Sequence, residues 1–288
     1  MSIVFICEGK HVGARGILPY KAKFGYRMYL AVIATILFLI SSHTAAQIQF
    51  QDVTATAGGP YRIGESWGAS WGHMDEDVYP DLFVSNHAIL TSLLRNNGDG
   101  SFSERIELAD LEGILTSEPE ADIHGGAWAD FDNDGDQDLF VARSSEGSRF
   151  YLFENNGQGF FEERGGVYGI GGNGSGRMPF VFDYTKDGRL DVAYAKAGGE
   201  SKIFKWDNSS FTEETNNTGL TGLCNGASSG FVSDLFDTGN LNFICLSEIR
   251  FPYVAFDTST IPFTDISSSI DSIGTNSCLL YTSDAADE

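Results

Sequence analysis

Residues 128–141 read Trp-Ala-Asp-Phe-Asp-Asn-Asp-Gly-Asp-Gln-Asp-Leu-Phe-Val, an acidic loop that runs directly into an apolar strand. Three other segments repeat this order, at 71–84, 183–194 and 234–245. The residues that close the four loops recur at intervals of roughly fifty residues, and they are Asp81, Asp138, Asp191 and Asn242. Such repetition indicates a domain assembled from one small structural unit used several times.

A second marker, Phe-x-Asp or Phe-x-Glu, recurs in step with the loops. It begins at Phe50, Phe102, Phe161, Phe211 and Phe263. Between loop and marker, Asn97-Gly98 and Asn156-Gly157 separate apolar runs, and Asn-Gly in that setting is the strongest short-range signal of a β-hairpin. Each repeat therefore contains about four short strands, which is the content of one β-propeller blade.

The sequence thus predicts an all-β protein, a propeller of four blades with four antiparallel strands each. A fifth acidic loop would fall beyond residue 288, so we expect the Phe263 marker to begin a fifth blade and the propeller to be incomplete and open. A β-sandwich with coincidental spacing is the alternative. No long stretch between 47 and 277 has helical periodicity.

The carboxylate spacing in the second loop predicts a calcium site. Side-chain oxygens would come from loop positions 1, 3, 5 and 9, and a main-chain carbonyl from position 7, which are Asp130, Asp132, Asp134, Asp138 and Asp136. Ca²⁺ takes six to eight oxygen ligands, and Gly135 permits the sharp turn around the ion. An EF-hand would need Glu where Val141 stands. A solvated acidic turn is the alternative for any single loop.

The other loops match this pattern less completely. The third offers Asp183, Thr185, Asp187, the carbonyl of Arg189, and Asp191. The first has His73 at position 1 and Val78 in place of Gly, which leaves Asp75, Asp77 and Asp81. The fourth has only Asp234, Thr238 and Asn242. We expect metal affinity to decrease in the order second, third, first, fourth, and we doubt that the fourth loop binds.

These loops, with the Phe-x-Asp/Glu strands and Asn-Asn-Gly turns, resemble the FG-GAP/VCBS repeats of integrin α heads and of many secreted proteins. The segment Gly-Ala-Trp-x-Asp-x-Asp-x-Asp-Gly-x-x-Asp-Leu-Phe-Val at 126–141 is similar to the cartilage-acidic-protein (ASPIC/UnbV) branch. The resemblance covers residues 47–277 and implies a rigid extracellular scaffold for adhesion or ligand binding, with structural calcium sites. Members of that branch often carry a further C-terminal domain.

Both ends of the chain differ from the repeat region. Basic residues, an apolar run from Tyr29 to Ile40 and small residues before Gln47 predict that 1–46 is a leader with a cleaved signal peptide, and hence a secreted protein with no stable membrane span. An uncleaved signal anchor is the alternative. Residues 278–288 resemble a translated sequencing adapter, so we assign the propeller to 47–277.

Charge and cysteine use narrow the function classes. A formal net charge of -22 argues against a nucleic-acid partner, because such binding depends on cations that neutralise phosphates. The partner that we expect is therefore an extracellular protein or glycan ligand. Cys224 and Cys245 would either form a disulfide or remain two separate thiols.

Two function classes are consistent with these features of the sequence. The first is a non-catalytic binding propeller, and the second is an extracellular enzyme acting on polysaccharide. The enzyme would need a carboxylate pair at the central channel, for which Glu118, Glu120 and Asp122 are the candidates. Trp71 and Trp128 occupy equivalent repeat positions, and we expect both to pack between blades.

Overall fold

The computed structural model describes residues 50–59, 65–87, 91–107, 109, 111, 122–144, 150–170, 176–196, 199–222, 224–247 and 253–271. The chain divides into two compact units, Met1–Asp52 and Val53–Glu288. In the first unit, residues 50–52 are exposed and form no strand or helix. The predicted leader and the adapter-like segment lie outside the described residues. Among those that are described, no helix is long and apolar enough to span a bilayer.

The second unit contains sixteen strands within its described residues, arranged in four sheets. The first sheet consists of β1 (Glu65–Gly72), β2 (Asp81–His87), β3 (Ser92–Asn96) and β4 (Phe102–Glu104). The second consists of β5 (Ile123–Ala129), β6 (Asp138–Arg143), β7 (Tyr151–Asn155) and β8 (Phe161–Glu163).

The third sheet consists of β9 (Pro179–Phe182), β10 (Asp191–Tyr194), β11 (Lys202–Trp206) and β12 (Phe211–Glu213). After a short helix, α1 (Thr215–Thr218), the fourth consists of β13 (Ala227–Ser233), β14 (Asn242–Ser247), β15 (Tyr253–Asp257) and β16 (Thr264–Asp265). A second short helix, α2 (Ser267–Asp271), follows. Every sheet is antiparallel with its strands in chain order, which confirms the four four-stranded blades.

The prediction that Phe263 begins a fifth blade is wrong. The strand after it, β16, pairs with β15 through Phe256 and Asp265, so it is the outermost strand of the fourth blade. Three other Phe markers begin the outermost strands of their own blades, namely Phe102 in β4, Phe161 in β8 and Phe211 in β12, whereas Phe50 lies in no strand. The marker follows the last hairpin turn and therefore ends a blade. The described residues contain no strand of a fifth blade.

The core lies between successive blades. Phe83 and Leu139 belong to a buried cluster shared by the first and second sheets. Phe140 and Val192 belong to one shared by the second and third, and a further cluster joins the third sheet to the fourth through residues that include Phe182 and Phe243. Side-chain packing between neighbouring sheets, one after another along the chain, is blade packing and differs from a two-sheet sandwich.

The two equivalent tryptophans have different surroundings. Trp128 packs against the cluster between the first two blades, and its ring contacts Phe161 edge to face at a centroid distance of 6.1 Å. Trp71 is 58% exposed and contacts Phe102 of its own blade. The prediction of inter-blade packing therefore holds for Trp128 and is wrong for Trp71, because the face of the first blade that carries Trp71 has no neighbouring sheet among the described residues.

Cys224 and Cys245 form a disulfide, with their Cα atoms 6.0 Å apart. Both are buried in the core between the third and fourth blades. The bridge connects the segment before β13 to β14, the second strand of the fourth blade. A disulfide is consistent with an extracellular protein.

Candidate metal centre

In the first three blades, the Asp that closes the acidic loop is hydrogen-bonded to the third strand of its blade. Asp138 is 2% exposed; its Oδ2 accepts a hydrogen bond from the main-chain N–H of Phe131 at 3.0 Å, and its Oδ1 accepts one from Asn155 at 2.9 Å. One carboxylate thus joins the loop to β7. Sequence reasoning assigned this residue only to metal binding and missed its structural role.

The same pair of bonds recurs in the first and third blades. Asp81 accepts from the main-chain N–H groups of Met74 and Asn96, both at 2.8 Å. Asp191 accepts from Tyr184 at 3.2 Å and from Trp206 at 2.9 Å. In the fourth loop, Asn242 accepts from Leu235 at 3.0 Å. The closing residue is therefore a repeated structural anchor, which explains why it recurs even where the rest of the loop does not match.

The second loop brings carboxylates together. Oxygen atoms of Asp130, Asp132 and Asp138 all lie within 4.8 Å of one another. The loop turns through Asn133 and Gly135, whose φ angles are 62° and 102°. At such positive φ a glycine avoids the Cβ strain that other residues incur, so Gly135 has the role expected from its position.

Main-chain N–H groups stabilise one side of this carboxylate group. Gly135 N–H donates to Asp130 Oδ2 at 3.1 Å, and Asp134 N–H donates to Asp132 Oδ1 at 3.2 Å. Asp130 Oδ1 and Asp136 Oδ1 are buried and accept no hydrogen bond. A buried carboxylate oxygen without a donor is costly, and a cation can satisfy it. An all-oxygen donor set of this kind fits a hard divalent cation.

Electrostatic repulsion within the loop also favours a cation. Burial, followed by the charges of Asp134 and Asp132, raises the pKa of Asp136 to about 6. Burial raises the pKa of Asp138 to about 7, although its two main-chain hydrogen bonds act in the opposite direction. Burial and Asp134 also raise the pKa of Asp132. A bound divalent ion reverses this balance by stabilising the ionised carboxylates.

The first loop pairs its carboxylates with a side chain of its own blade. Arg95 Nε lies 2.5 Å from Asp75 Oδ2, and Arg95 Nη2 lies 2.7 Å from Asp77 Oδ2. Burial raises the pKa of Asp75, but the hydrogen bond and charge of Arg95 outweigh it and the net pKa is lowered. His73 donates its main-chain N–H to Gln137 in the next blade. A guanidinium therefore stands beside two of the predicted metal ligands.

The third loop has a similar arrangement around one carboxylate. Arg189 Nη2 lies 2.5 Å from Asp187 Oδ2, and Lys205 Nζ lies 3.4 Å from the same oxygen. Asp183 accepts hydrogen bonds from the Thr185 hydroxyl at 3.3 Å and from the Gly188 N–H at 2.7 Å. In the fourth loop, Asp234 accepts the N–H groups of Thr238 at 3.0 Å and Gly239 at 2.5 Å. The ranking of these loops for metal stays a prediction.

One position on the third strand distinguishes the blades. Arg95, Glu154 and Lys205 each precede the residue whose N–H binds the closing Asp. That position carries a cation beside the first and third loops and an anion beside the second. Glu154 accepts from the Tyr168 hydroxyl at 2.5 Å and lies 3.4 Å from Arg164 Nε, so its charged partner comes from outside the loop. Within the described residues, no Lys or Arg pairs with a carboxylate of the second loop.

The fold and these loops define a β-propeller whose blades each carry an acidic turn between the first and second strands. Residues 73–141 and 130–194 match the family model described as an FG-GAP-like repeat. The chain therefore contains FG-GAP-like repeats within its first three blades, as the resemblance predicted. The finer likeness to the ASPIC/UnbV branch stays a prediction.

Among solved structures, the chain is similar to a lectin from Agrocybe aegerita described as specifically recognising non-reducing terminal N-acetylglucosamine. The identity is 17% and the TM-score 0.48, with 76% of this chain and 57% of the lectin chain covered. The chain thus spans a little over half the length of that structure. No protein with a curated description matches the sequence.

Proposed function

We propose that this protein is a secreted, non-catalytic β-propeller scaffold that binds an extracellular protein or glycan ligand and is stabilised by Ca²⁺ in the second acidic loop. The FG-GAP-like repeats and the blade architecture support a binding or scaffold role. The disulfide between Cys224 and Cys245 supports an oxidising compartment.

The observation that carries the calcium proposal is the uncompensated charge of the second loop. Asp130, Asp132 and Asp138 converge, and two buried carboxylate oxygens in the loop accept no hydrogen bond. The corresponding carboxylates of the first loop are paired with Arg95. Ca²⁺ would be held by Asp130, Asp132, Asp134 and Asp138 and by the Asp136 carbonyl. The ion would supply the positive charge that blade two lacks and would stiffen the turn between β5 and β6.

Thermal melting in calcium and in chelator tests this proposal. Extracellular calcium modules bind at about 10⁻⁴ to 10⁻³ M, so millimolar Ca²⁺ should stabilise the fold by roughly 1 kcal/mol and raise Tm by a few degrees. Asp130→Asn should remove most of that shift. Asp99→Asn is the matched control, since Asp99 lies in an exposed turn and binds Ser101. Equal Tm in calcium and chelator would refute the calcium site.

The hydrolytic alternative would depend on the candidate acids Glu118, Glu120 and Asp122. Asp122 is hydrogen-bonded to His124 Nε2, and Glu118 and Glu120 lie outside the described residues. Incubation of the protein with a panel of extracellular polysaccharides tests the proposal. Turnover that is lost on Glu118→Gln or Glu120→Gln would contradict it and favour the hydrolytic alternative.

A further inference from the structure

Trp67, His124 and Arg177 occupy the same repeat position in three successive blades. In each of these blades, one first-strand residue pairs with the closing Asp, and these residues are Gly72, Ala129 and Phe182. Trp67, His124 and Arg177 precede them in the sequence by the same number of residues. Trp67 and His124 are each skipped by the strand register, which marks a β-bulge near the start of β1 and of β5. Bulges often redirect a side chain at a functional site.

Close packing of the first strands brings these positions together. A Cβ on Gly68 would lie 2.6 Å from the His124 carbonyl oxygen, and a Cβ on Gly125 would lie 2.9 Å from that of Arg177. Each glycine therefore allows the main chain of the next blade to approach closely. The Trp67 and His124 rings have centroids 4.8 Å apart, and Arg177 Cζ lies 5.4 Å from the Trp67 ring centroid.

We refer to Trp67, His124, Arg177 and Asp122 as the three-blade cluster. In the second blade, the cluster residues lie at the start of β5, whereas the second acidic loop follows the end of that strand. The three-blade cluster and the acidic loop are therefore at opposite ends of the blade. The first strands of the blades surround the central axis of a propeller, and ligands often bind at such convergent positions. None of these residues takes part in the metal loop.

The cluster combines one apolar surface with groups of opposite hydrogen-bonding type. Trp67 is 47% exposed, with the Arg177 guanidinium and the His124 ring against part of its indole. Arg177 is a donor only, whereas the Asp122 carboxylate, which is paired with Nε2 of His124, is an acceptor. A hydroxyl group both donates and accepts, so adjacent hydroxyls on one ring match such a pair. The C–H face of the same sugar ring would pack on the exposed part of the indole.

We infer that the three-blade cluster binds a neutral saccharide. Asp122 disfavours an anionic ligand, as does the net charge of -22, while Arg177 disfavours a cationic one. A polyhydroxylated ring with no net charge avoids both penalties. The inference deepens the proposed function and rests on its statement that the propeller binds an extracellular ligand.

Binding of neutral trisaccharides to the full chain in saturating Ca²⁺ tests the inference, with tryptophan fluorescence and calorimetry as readouts. The probes are trimers of glucose, mannose, galactose and N-acetylglucosamine, with trigalacturonic acid as the charged comparison. Trp67→Ala should weaken binding of the preferred trimer by at least about tenfold. Trp71→Ala is the matched control, since it removes an exposed Trp from the same strand.

Binding of a neutral trimer that is lost in Trp67→Ala and retained in Trp71→Ala would establish the site. No binding by any neutral trimer, tighter binding of trigalacturonic acid, or equal losses in the two variants would each overturn it. A melting measurement on the same samples separates this result from the proposed function. Calcium stabilisation without saccharide binding would refute the cluster's role and leave the metal site standing.

Discussion

Arg95 in β3 donates a hydrogen bond from Nε to Oδ2 of Asp75 at 2.5 Å. The pair places a permanent positive charge within a loop whose spacing otherwise resembles a metal site. In the next blade the equivalent third-strand residue is Glu154, and the loop beside it contains the convergent carboxylates. We therefore expect this third-strand position to influence whether a loop is neutralised by the protein or by a bound cation.

Replacing Arg95 tests whether the guanidinium takes the place of a metal. Arg95→Gln should lower stability in chelator by about 1 kcal/mol, because the partly exposed ion pairs to Asp75 and Asp77 are lost. It should also increase the stabilisation by Ca²⁺, since the first loop is then left with unpaired carboxylates. Thermal melting with and without Ca²⁺ measures both effects. Lys202→Gln, which removes an ion pair to Glu213 away from the loops, is the control. An unchanged calcium shift would show that Arg95 does not substitute for an ion.

The reverse exchange tests the second blade. Glu154→Lys places a cation beside Asp132, whose pKa is otherwise raised partly by the charge of Glu154. We expect calcium affinity, measured by calorimetry, to decrease by at least about tenfold through repulsion between the ammonium and the ion. Glu162→Lys makes the same charge change on a side chain that is 71% exposed. Equal effects of the two substitutions would point to net charge alone and contradict a local role for position 154.

These two positions also show what sequence reasoning could and could not reach. The four blades were predictable because the loop and the Phe marker repeat independently, and the Asp130–Asp138 spacing identified the loop in which carboxylates converge. The charge compensation of the first loop was not predictable from its own residues, since Arg95 comes from a different strand. In the third loop, Arg189 belongs to the loop itself, whereas Lys205 comes from a different strand. The sequence signal that could have indicated this difference is the charge of one third-strand residue in each blade, namely Arg95, Glu154 and Lys205.

Two further errors have physical causes. Phe263 was assigned to a new blade because a periodic marker does not reveal whether it begins or ends its unit; only pairing of β16 with β15 resolves this. The convergence of Trp67, His124 and Arg177 was missed because a bulge displaces each of the first two from strand alternation. Contacts between blades are needed to bring such residues together, and these contacts are not encoded in any one repeat.

Substitution of Asp138 and of Asp132 should lower the free energy of unfolding in different ways, one largely without metal and the other mainly with it. Asp138→Ala would leave the N–H groups of Phe131 and Asn155 buried without an acceptor, so we expect a loss of about 2–4 kcal/mol even in chelator. Asp132→Ala should cost under about 0.5 kcal/mol in chelator and more in Ca²⁺. Urea denaturation in both conditions measures the difference. Similar losses for the two variants in chelator would show that the closing Asp is a metal ligand without a separate structural role.

The glycines between the first strands provide the last test. Gly68→Ala and Gly125→Ala would each force a Cβ against a main-chain carbonyl of the next blade, at 2.6 Å and 2.9 Å. Main-chain atoms cannot move aside as a flexible side chain can, so we expect each variant to lose about 1–3 kcal/mol in urea denaturation. Gly166→Ala is the control, because no atom lies within 4 Å of its added Cβ. If Gly68→Ala were as stable as Gly166→Ala, the first two blades would be farther apart than this packing requires, and Trp67 and His124 would not be held together.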